Sequence, residues 1–259
     1  MKKNILVLAC SLFSVTMFAQ NNPNDTARTQ KEEDYYHIFT LPIPEHVKLE
    51  VGGMTFLPDD RLAVCTRRGE IWTISNPYMK NDAAPRYQLF AEGLHEALGL
   101  NYVNGELYAT QRSEITKLKD VDFDGIADEY KTVYTWPLAG NYHEYAYGPI
   151  VDKNKNLYVT LNLGWTDHGE SLSKWHGWML KIDSTGKMKP YATGFRSPAA
   201  MAFNKDGDIF YAENQGDWVG SGYIAHVAAN DFMGNPEGLK WAGEPDSDIK
   251  LRVSDIPDT

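Results

Sequence analysis

Cysteine is scarce in this chain: only Cys10 and Cys65 occur among 259 residues. Two cysteines build neither a disulfide framework nor a cysteine-based zinc site, and no Cys-x-x-Cys-His motif is present for a c-type haem. Positively charged residues are also outnumbered, with 25 Lys+Arg against 35 Asp+Glu and a formal net charge of −10. An acidic chain repels the phosphate backbone, so no nucleic-acid partner is expected.

The N-terminus has a basic start followed by a short apolar stretch. Lys2 and Lys3 precede a mostly apolar segment, residues 5–18, and the small residue Ala19 follows it. The apolar segment is too short to span a bilayer. This pattern predicts a secretory signal peptide over residues 1–19; lipidation of Cys10 and a buried N-terminal strand are the alternatives.

A polar segment, residues 20–44, follows the predicted signal, and no later stretch is apolar enough for a membrane span. We therefore expect an exported protein, periplasmic or extracellular, whose mature form carries a single thiol. That thiol, Cys65, lies in an apolar strand pattern, which predicts a buried and inert side chain rather than a catalytic one.

Four segments repeat one pattern: an apolar strand, a polar turn and a second apolar strand. Two of the turns contain Asn104-Gly105 and Asp206-Gly207, residue pairs that tolerate positive φ and are typical of hairpins. The second strands begin at intervals of 45, 50 and 52 residues, at Leu62, Leu107, Leu157 and Ile209. Further strand patterns follow within the repeats, for example at residues 178–182 and 188–192.

Four strands per repeat of about fifty residues predict an all-β protein, a β-propeller with four-stranded blades. A β-sandwich lacks such a repeat, and a TIM barrel needs helical patterns between its strands, which this chain lacks. About four blades fit between residues 45 and 230. Residues 231–259 offer no clean closing strand. We expect them to be the start of further propeller or a truncated tail, and the chain to be a fragment of a six-bladed ring.

Alternating carboxylates occur in one short stretch of the second repeat. Asp120, Asp122 and Asp124 precede Gly125, and Asp128 follows. Carboxylate oxygens at this spacing wrap around a hard cation, and glycine permits the sharp turn. We expect a short structural calcium loop on a blade hairpin; an acidic turn without metal is the alternative.

Short polar clusters precede the first strands of three repeats, where propeller loops line the central face. His143 lies among aromatic residues before the third repeat, and a histidine suits a general base near neutral pH. Arg196 lies before the fourth, and its guanidinium suits a carboxylate or quinone oxygen. His95 and Glu96 precede the second repeat. Packing and structural ion pairs are the alternative roles.

A further cluster, Asn214, Gln215 and Gly216, directly follows a strand of the fourth repeat. Small and amide residues there expose backbone carbonyls, which suits a cation or a polar ligand. An ordinary turn between strands is the alternative.

The order of these stretches resembles the glucose/sorbosone dehydrogenase family, soluble quinoprotein sugar dehydrogenases on a six-bladed propeller. The chain looks like a divergent, exported branch of that family. Four motifs carry the likeness: Leu98-Gly99-Leu100-Asn101-Tyr102, Gly140-Asn141-Tyr142-His143, Gly194-Phe195-Arg196-Ser197-Pro198 and Glu213-Asn214-Gln215-Gly216.

The resemblance implies pyrroloquinoline quinone held over a calcium ion. His143 would be the base that takes a proton as hydride moves from a sugar or related alcohol to the quinone. Arg196 would bind the cofactor and polarise its carbonyl. The turn that begins at Asn214 would supply calcium ligands, partly through its backbone, and we count His95 and Glu96 among the cofactor-binding residues. Electrons would pass to a cytochrome or another acceptor.

Two other functions remain open from the sequence. One is a calcium-dependent, lactonase-like propeller hydrolase in which His143 acts with a metal-bound water. The other is a non-catalytic propeller that binds a glycan or a partner protein. The fold alone does not decide among the three.

Overall fold

The computed structural model describes residues 30–138, 140–141, 143–164, 169–215 and 220–256. The predicted signal peptide, residues 1–19, lies outside the described residues. The chain divides into two units, Met1–Thr40 and Leu41–Thr259. The described part of the first unit contains one 3-10 helix, Glu32–Asp34. Within the described ranges, no helix has the length and apolar character needed to cross a membrane.

The described part of the second unit contains fifteen strands in four antiparallel sheets, each in chain order. Blade 1 consists of β1 (Val51–Phe56), β2 (Leu62–Thr66), β3 (Ile71–Ser75) and β4 (Arg86–Ala91). Blade 2 consists of β5 (Gly99–Val103), β6 (Glu106–Thr110), β7 (Glu114–Lys119) and β8 (Glu129–Thr135).

The other two sheets continue the same arrangement. Blade 3 consists of β9 (Ala146–Val151), β10 (Leu157–Leu161), β11 (Trp178–Ile182) and β12 (Met188–Thr193). Blade 4 has three strands in the described residues: β13 (Pro198–Phe203), β14 (Ile209–Glu213) and β15 (Tyr223–Val227). The predicted all-β propeller is therefore confirmed, and the described residues form four blades.

Turn residues explain where the strands reverse. Val103 pairs with Glu106, so only Asn104 and Gly105 connect β5 to β6. Both have positive φ, 52° and 92°, the conformation that two-residue hairpins of this kind require. The hairpin predicted from this Asn-Gly pair is confirmed.

Glycine lets the first strands of neighbouring blades approach closely. A Cβ built on Gly99 in β5 would lie 1.5 Å from the carbonyl oxygen of Gly148 in β9. A Cβ built on Gly53 in β1 would lie 2.8 Å from the Cα of Gly99. Backbone contact at these distances leaves no room for any side chain, so β1, β5 and β9 lie side by side.

Apolar side chains fill the spaces between blades. Cys65 is completely buried in the cluster between blades 1 and 2 and carries a free thiol, as predicted. Burial raises its pKa to about 12. Trp178 is also completely buried, and its indole N–H donates to the carbonyl oxygen of Gly238 at 2.6 Å.

The C-terminal segment folds back onto blade 3. It contains two 3-10 helices, Pro236–Trp241 and Val253–Asp255. Leu239, Ala242 and Ile249 pack in the same apolar cluster as Trp178. In the described residues this segment adds no strand to a further blade.

Candidate functional site

Antiparallel pairing brings two backbone positions together at one end of every blade. The first residue of the first strand pairs with the last residue of the second, as in Val51 with Thr66 and Pro198 with Glu213. The residue before the first strand and the residue after the second therefore lie side by side. Four backbone hydrogen bonds mark this end: Arg67 N to Glu50 O at 2.8 Å, Leu98 N to Thr110 O at 3.0 Å, Asn162 N to Tyr145 O at 2.8 Å and Asn214 N to Ser197 O at 3.2 Å.

A cavity of about 390 Å³ opens at this end between blades 3 and 4. It brings together four of the predicted site residues, which lie far apart in the sequence: His143, Arg196, Asn214 and Gln215. Tyr145, Tyr147, Asn162 and Ser197 complete its polar and aromatic lining. The predicted Gly216 lies outside the described residues.

His143 lies in a tight turn before β9, which we call the His143 turn (Asn141 and residues 143–145). Its backbone N–H donates to the Asn141 side-chain oxygen at 2.9 Å, and the Tyr145 N–H donates to the His143 carbonyl at 2.9 Å. Arg112 donates to the Asn141 carbonyl at 2.6 Å from blade 2. These bonds fix the backbone from which the imidazole enters the cavity.

Arg196 is 8% exposed, and its guanidinium donates to the Ser197 hydroxyl at 3.0 Å and to the Gln215 carbonyl at 3.1 Å. The backbone around it is held by the buried Glu213 carboxylate. That carboxylate accepts the N–H groups of Arg196 at 3.1 Å, Ser197 at 2.6 Å and Asn214 at 3.2 Å. Burial raises the pKa of Glu213, although these three donors and the Arg196 charge oppose the rise.

Asn162 contributes an unsatisfied oxygen to the cavity wall. Its Oδ1 is buried and has no hydrogen-bond partner among the described residues, and its side chain interacts with the Tyr147 hydroxyl. Burial raises the pKa of Tyr147. Leaving a buried acceptor unpaired costs about 1–3 kcal/mol, so the geometry fits a cation or a donor from a bound molecule.

The structure does not bring His95 and Glu96 into this cavity. Glu96 is drawn into ion pairs with Arg67 at 3.2 Å and Arg112 at 3.0 Å, between blades 1 and 2. The His95 backbone N–H donates to the side-chain oxygen of Gln111. Two positive charges hold this carboxylate in ion pairs, and it is not part of the cavity lining.

Sequence reasoning missed Arg67 and Arg112. Arg67 interacts with the Tyr145 hydroxyl, and the Arg112 guanidinium lies 5.3 Å from the centroid of the same ring. Arg67 directly follows the second strand of blade 1, as Asn162 and Asn214 do in blades 3 and 4, and Arg112 lies two residues after the second strand of blade 2. An alignment of the four repeats at the ends of their second strands would have shown polar or charged residues at or next to this position in each repeat.

The predicted calcium loop lies at the other end of blade 2, because β7 begins at the cavity end and Asp120 follows its last residue. Carboxylate oxygens of Asp120, Asp122 and Asp124 lie within 4.8 Å of one another. Asp128 is not part of this group, since its carboxylate accepts the Val121 N–H at 2.6 Å. The loop is therefore separate from the cavity.

These features define a β-propeller protein with a polar, aromatic-lined cavity at the end where the blade loops meet. The chain belongs to the family described as Domain of unknown function (DUF7133), which matches residues 81–243. No curated protein matches the sequence.

Solved structures with the same fold include several sugar dehydrogenases. A putative oxidoreductase (glucose dehydrogenase) from Thermus thermophilus is 21% identical with a TM-score of 0.58, over 73% of this chain and 65% of its own. The PQQ-bound aldose sugar dehydrogenase of Streptomyces coelicolor is 18% identical with a TM-score of 0.58, over 78% and 66%. The soluble aldose sugar dehydrogenase of Escherichia coli is 14% identical with a TM-score of 0.59, over 78% and 69%.

The chain thus spans 65% of the length of the Thermus protein and 66% of the Streptomyces one. At these identities the likeness establishes the fold. The predicted resemblance to soluble sugar dehydrogenases is confirmed at that level.

Proposed function

We propose that this chain is the propeller part of a quinoprotein-type dehydrogenase that oxidises a sugar or a related alcohol. The observation that carries the proposal is the convergence of His143, Arg196, Asn214 and Gln215 on one cavity. These residues come from two blades, and three separate sequence motifs contribute them. Oxidation of an alcohol needs a base that removes a proton and positive charge that stabilises the reduced acceptor. His143 provides the base, and the Arg196 guanidinium provides the positive charge.

The donor set of the cavity fits pyrroloquinoline quinone and calcium. Arg196 offers a guanidinium for a carboxylate or quinone oxygen, and Tyr145 and Tyr147 offer rings for a planar molecule. The unsatisfied Asn162 oxygen fits a hard cation, as do the backbone and side-chain oxygens of the turn that begins at Asn214. When bound, the quinone would supply the two-electron oxidant.

The chain's own residues divide the remaining work. His143 accepts the proton of the substrate hydroxyl at an imidazole nitrogen. Arg196, held by its bonds to Ser197 and Gln215, orients the cofactor and stabilises negative charge on its oxygen. The half-buried walls of the cavity limit the access of water to these groups.

The test is reconstitution of the full chain with calcium and the quinone. Reduction of an artificial electron acceptor is then measured with a panel of sugars and alcohols. We expect activity that falls about 100-fold or more in His143→Asn, because general base catalysis contributes about 10²–10⁴-fold. Glu92→Gln, an exposed carboxylate in blade 1, is the control and retains activity.

Other outcomes decide against the proposal. Hydrolysis of lactones without the quinone assigns the cavity to a calcium-dependent hydrolase. Binding of a glycan with neither activity assigns the chain to the non-catalytic class. Quinone binding, followed by fluorescence quenching, that is unchanged by Arg196→Lys removes Arg196 from the proposed cofactor site.

We further propose that residues 1–19 direct export, that a cytochrome or another acceptor takes the electrons, and that further blades complete a six-bladed ring. Exposed apolar side chains on the outer faces of blades 1 and 4 support the last point. Met54 is 60% exposed on β1, and Ile224 is 76% exposed on β15. N-terminal sequencing of the protein recovered from the periplasm or medium tests the cleavage after Ala19.

A further inference from the structure

Glu144 follows His143 directly, but its side chain leads away from the cavity. The carboxylate is completely buried. Its Oε1 accepts the backbone N–H of Leu172 at 3.0 Å, and its Oε2 accepts the Ser173 hydroxyl at 3.4 Å. Both donors belong to the connection between β10 and β11, so the side chain joins two separate segments of blade 3.

Charged and titratable groups from three elements face this carboxylate. His176, in the same connection, has its Nδ1 4.0 Å from Oε2 and donates from that atom to the Asn162 carbonyl at 2.6 Å. Arg112 from blade 2 and Lys240 from the C-terminal segment add positive charge. His176 is 1% exposed, and burial lowers its pKa to about 4, so the imidazole is neutral near pH 7.

Burying a carboxylate costs free energy unless the group is paired and hydrogen-bonded. Here burial raises the pKa of Glu144 to about 7, against the opposing effects of the Leu172 and Ser173 donors and the two cationic side chains. An alanine would leave the Leu172 N–H without its acceptor. Folding therefore needs an acceptor at this position, but a neutral side chain would supply one without the cost of a buried charge.

We propose that Glu144 is a positioning residue that fixes the His143 turn against the Leu172–Ser173 backbone. The role of His143 in this statement rests on the function proposed above. Arg112 holds the turn at Asn141, and Asn162 holds it at Tyr145. Glu144 supplies the third attachment, one residue from the imidazole.

The attachment controls where the base lies relative to the cavity. Without it, the turn loses its attachment to the β10–β11 connection at the residue next to His143, and we expect the imidazole to shift. A displacement of about 1 Å at a reacting group costs about 100-fold in rate. Substrate binding depends on the cavity walls and changes less.

The experiment compares Glu144→Gln, Glu144→Ala and Ser173→Ala in the full chain. Glutamine keeps an acceptor for the Leu172 N–H and an amide group for Ser173, whereas alanine removes both contacts. Ser173→Ala removes one contact and serves as the milder variant if Glu144→Ala does not fold. Glu92→Gln is the control for the loss of a carboxylate far from the turn.

The first readout is hydrogen–deuterium exchange, which needs neither cofactor nor activity. We expect at least about 10-fold faster exchange in peptides covering residues 140–147 and 170–176 for Glu144→Ala, a smaller change for Ser173→Ala and none for Glu144→Gln. The second readout is dye reduction by the reconstituted protein. We expect kcat to fall about 10- to 100-fold in Glu144→Ala with KM within about 3-fold, and Glu144→Gln to restore kcat.

Each outcome has a defined meaning. Unchanged exchange in Glu144→Ala, or an equal loss in Glu144→Gln and Glu144→Ala, overturns the attachment. Faster exchange with wild-type kcat shows that the attachment does not position the base, which also overturns the proposal. If the wild type reduces no dye with any substrate, the proposed function fails. Exchange alone then decides whether Glu144 holds the turn.

Discussion

Replacing Glu144 by glutamine should change how the stability of the protein depends on pH. The folded protein raises the pKa of this carboxyl from 4.5 to about 7, mainly because the group is buried. The native state therefore binds a proton more tightly than the unfolded chain does. Between pH 4.5 and 7, unfolding releases that proton, so the carboxyl makes the wild type less stable as pH rises through this window.

The size of the effect follows from the two pKa values. One pKa unit is worth about 1.4 kcal/mol, so the difference lowers the free energy of unfolding by about 3 kcal/mol between pH 4 and pH 8. Glutamine does not titrate and keeps both hydrogen-bonding positions. The free energy of unfolding of Glu144→Gln minus that of the wild type should therefore increase by about 3 kcal/mol over this range.

The neighbouring His176 acts in the opposite direction. Its pKa is lowered from 6.5 to about 4, so the unfolded chain binds the proton more tightly, and stability is lost as pH falls from 6.5 to 4. The two effects nearly cancel in the wild type between pH 4.5 and 6.5. His176 is present in both proteins, and its contribution drops out of the difference where its pKa is the same in both.

Urea unfolding of both proteins at intervals between pH 4 and pH 8, with the linear extrapolation of each curve, measures this difference. Glu92→Gln corrects for the loss of one carboxylate at the surface. A difference that stays constant within about 0.5 kcal/mol would show that Glu144 is not held in a dry environment. The reasoning about its burial would then be wrong.

Three further predictions follow from single observations. Gly99→Ala should destabilise the protein by about 3 kcal/mol or more in urea unfolding, since its Cβ would lie 1.5 Å from the Gly148 oxygen, whereas Gly243→Ala, with open space, should not. Cys65 should react with a thiol reagent only at the rate of unfolding, because it is completely buried and its pKa is about 12; rapid labelling of the native protein would contradict this. Calcium should raise Tm by about 5 °C through the aspartate loop, and Asp122→Asn should remove most of that increase; an equal increase in both proteins would place the bound calcium elsewhere.

The sequence predicts the blades well because their signals are local. Strand patterns recur at nearly constant intervals, and Asn104-Gly105 specifies its own turn. His143 and Arg196 are found for a related reason, since each precedes the first strand of a repeat and the antiparallel pairing carries that position to one end of the blade.

Contacts between blades are not local, and sequence reasoning fails there. Glu96 occupies the same kind of position as His143, yet it pairs with Arg67 and Arg112 and does not line the cavity. The choice depends on which opposite charges lie nearby in space, and these arginines are 29 and 16 residues away along the chain. The spacing of the strands does not contain that information.

The two turns that carry His143 and Arg196 share one structural feature, a buried carboxylate that hydrogen-bonds nearby backbone. A buried carboxylate is hydrogen-bonded beside each turn. Glu144, next to His143, accepts hydrogen bonds from the β10–β11 connection. Glu213 accepts three backbone N–H groups, including that of Arg196. Burial raises the pKa of both carboxyl groups, so each lowers the stability of the fold near neutral pH. Residues that lower the stability of a fold, such as buried carboxylates, are expected at sites where rigid geometry matters for function. Glu144 and Glu213 each hold a turn that lines the same cavity, and this shared arrangement supports the function proposed above without reference to other propellers.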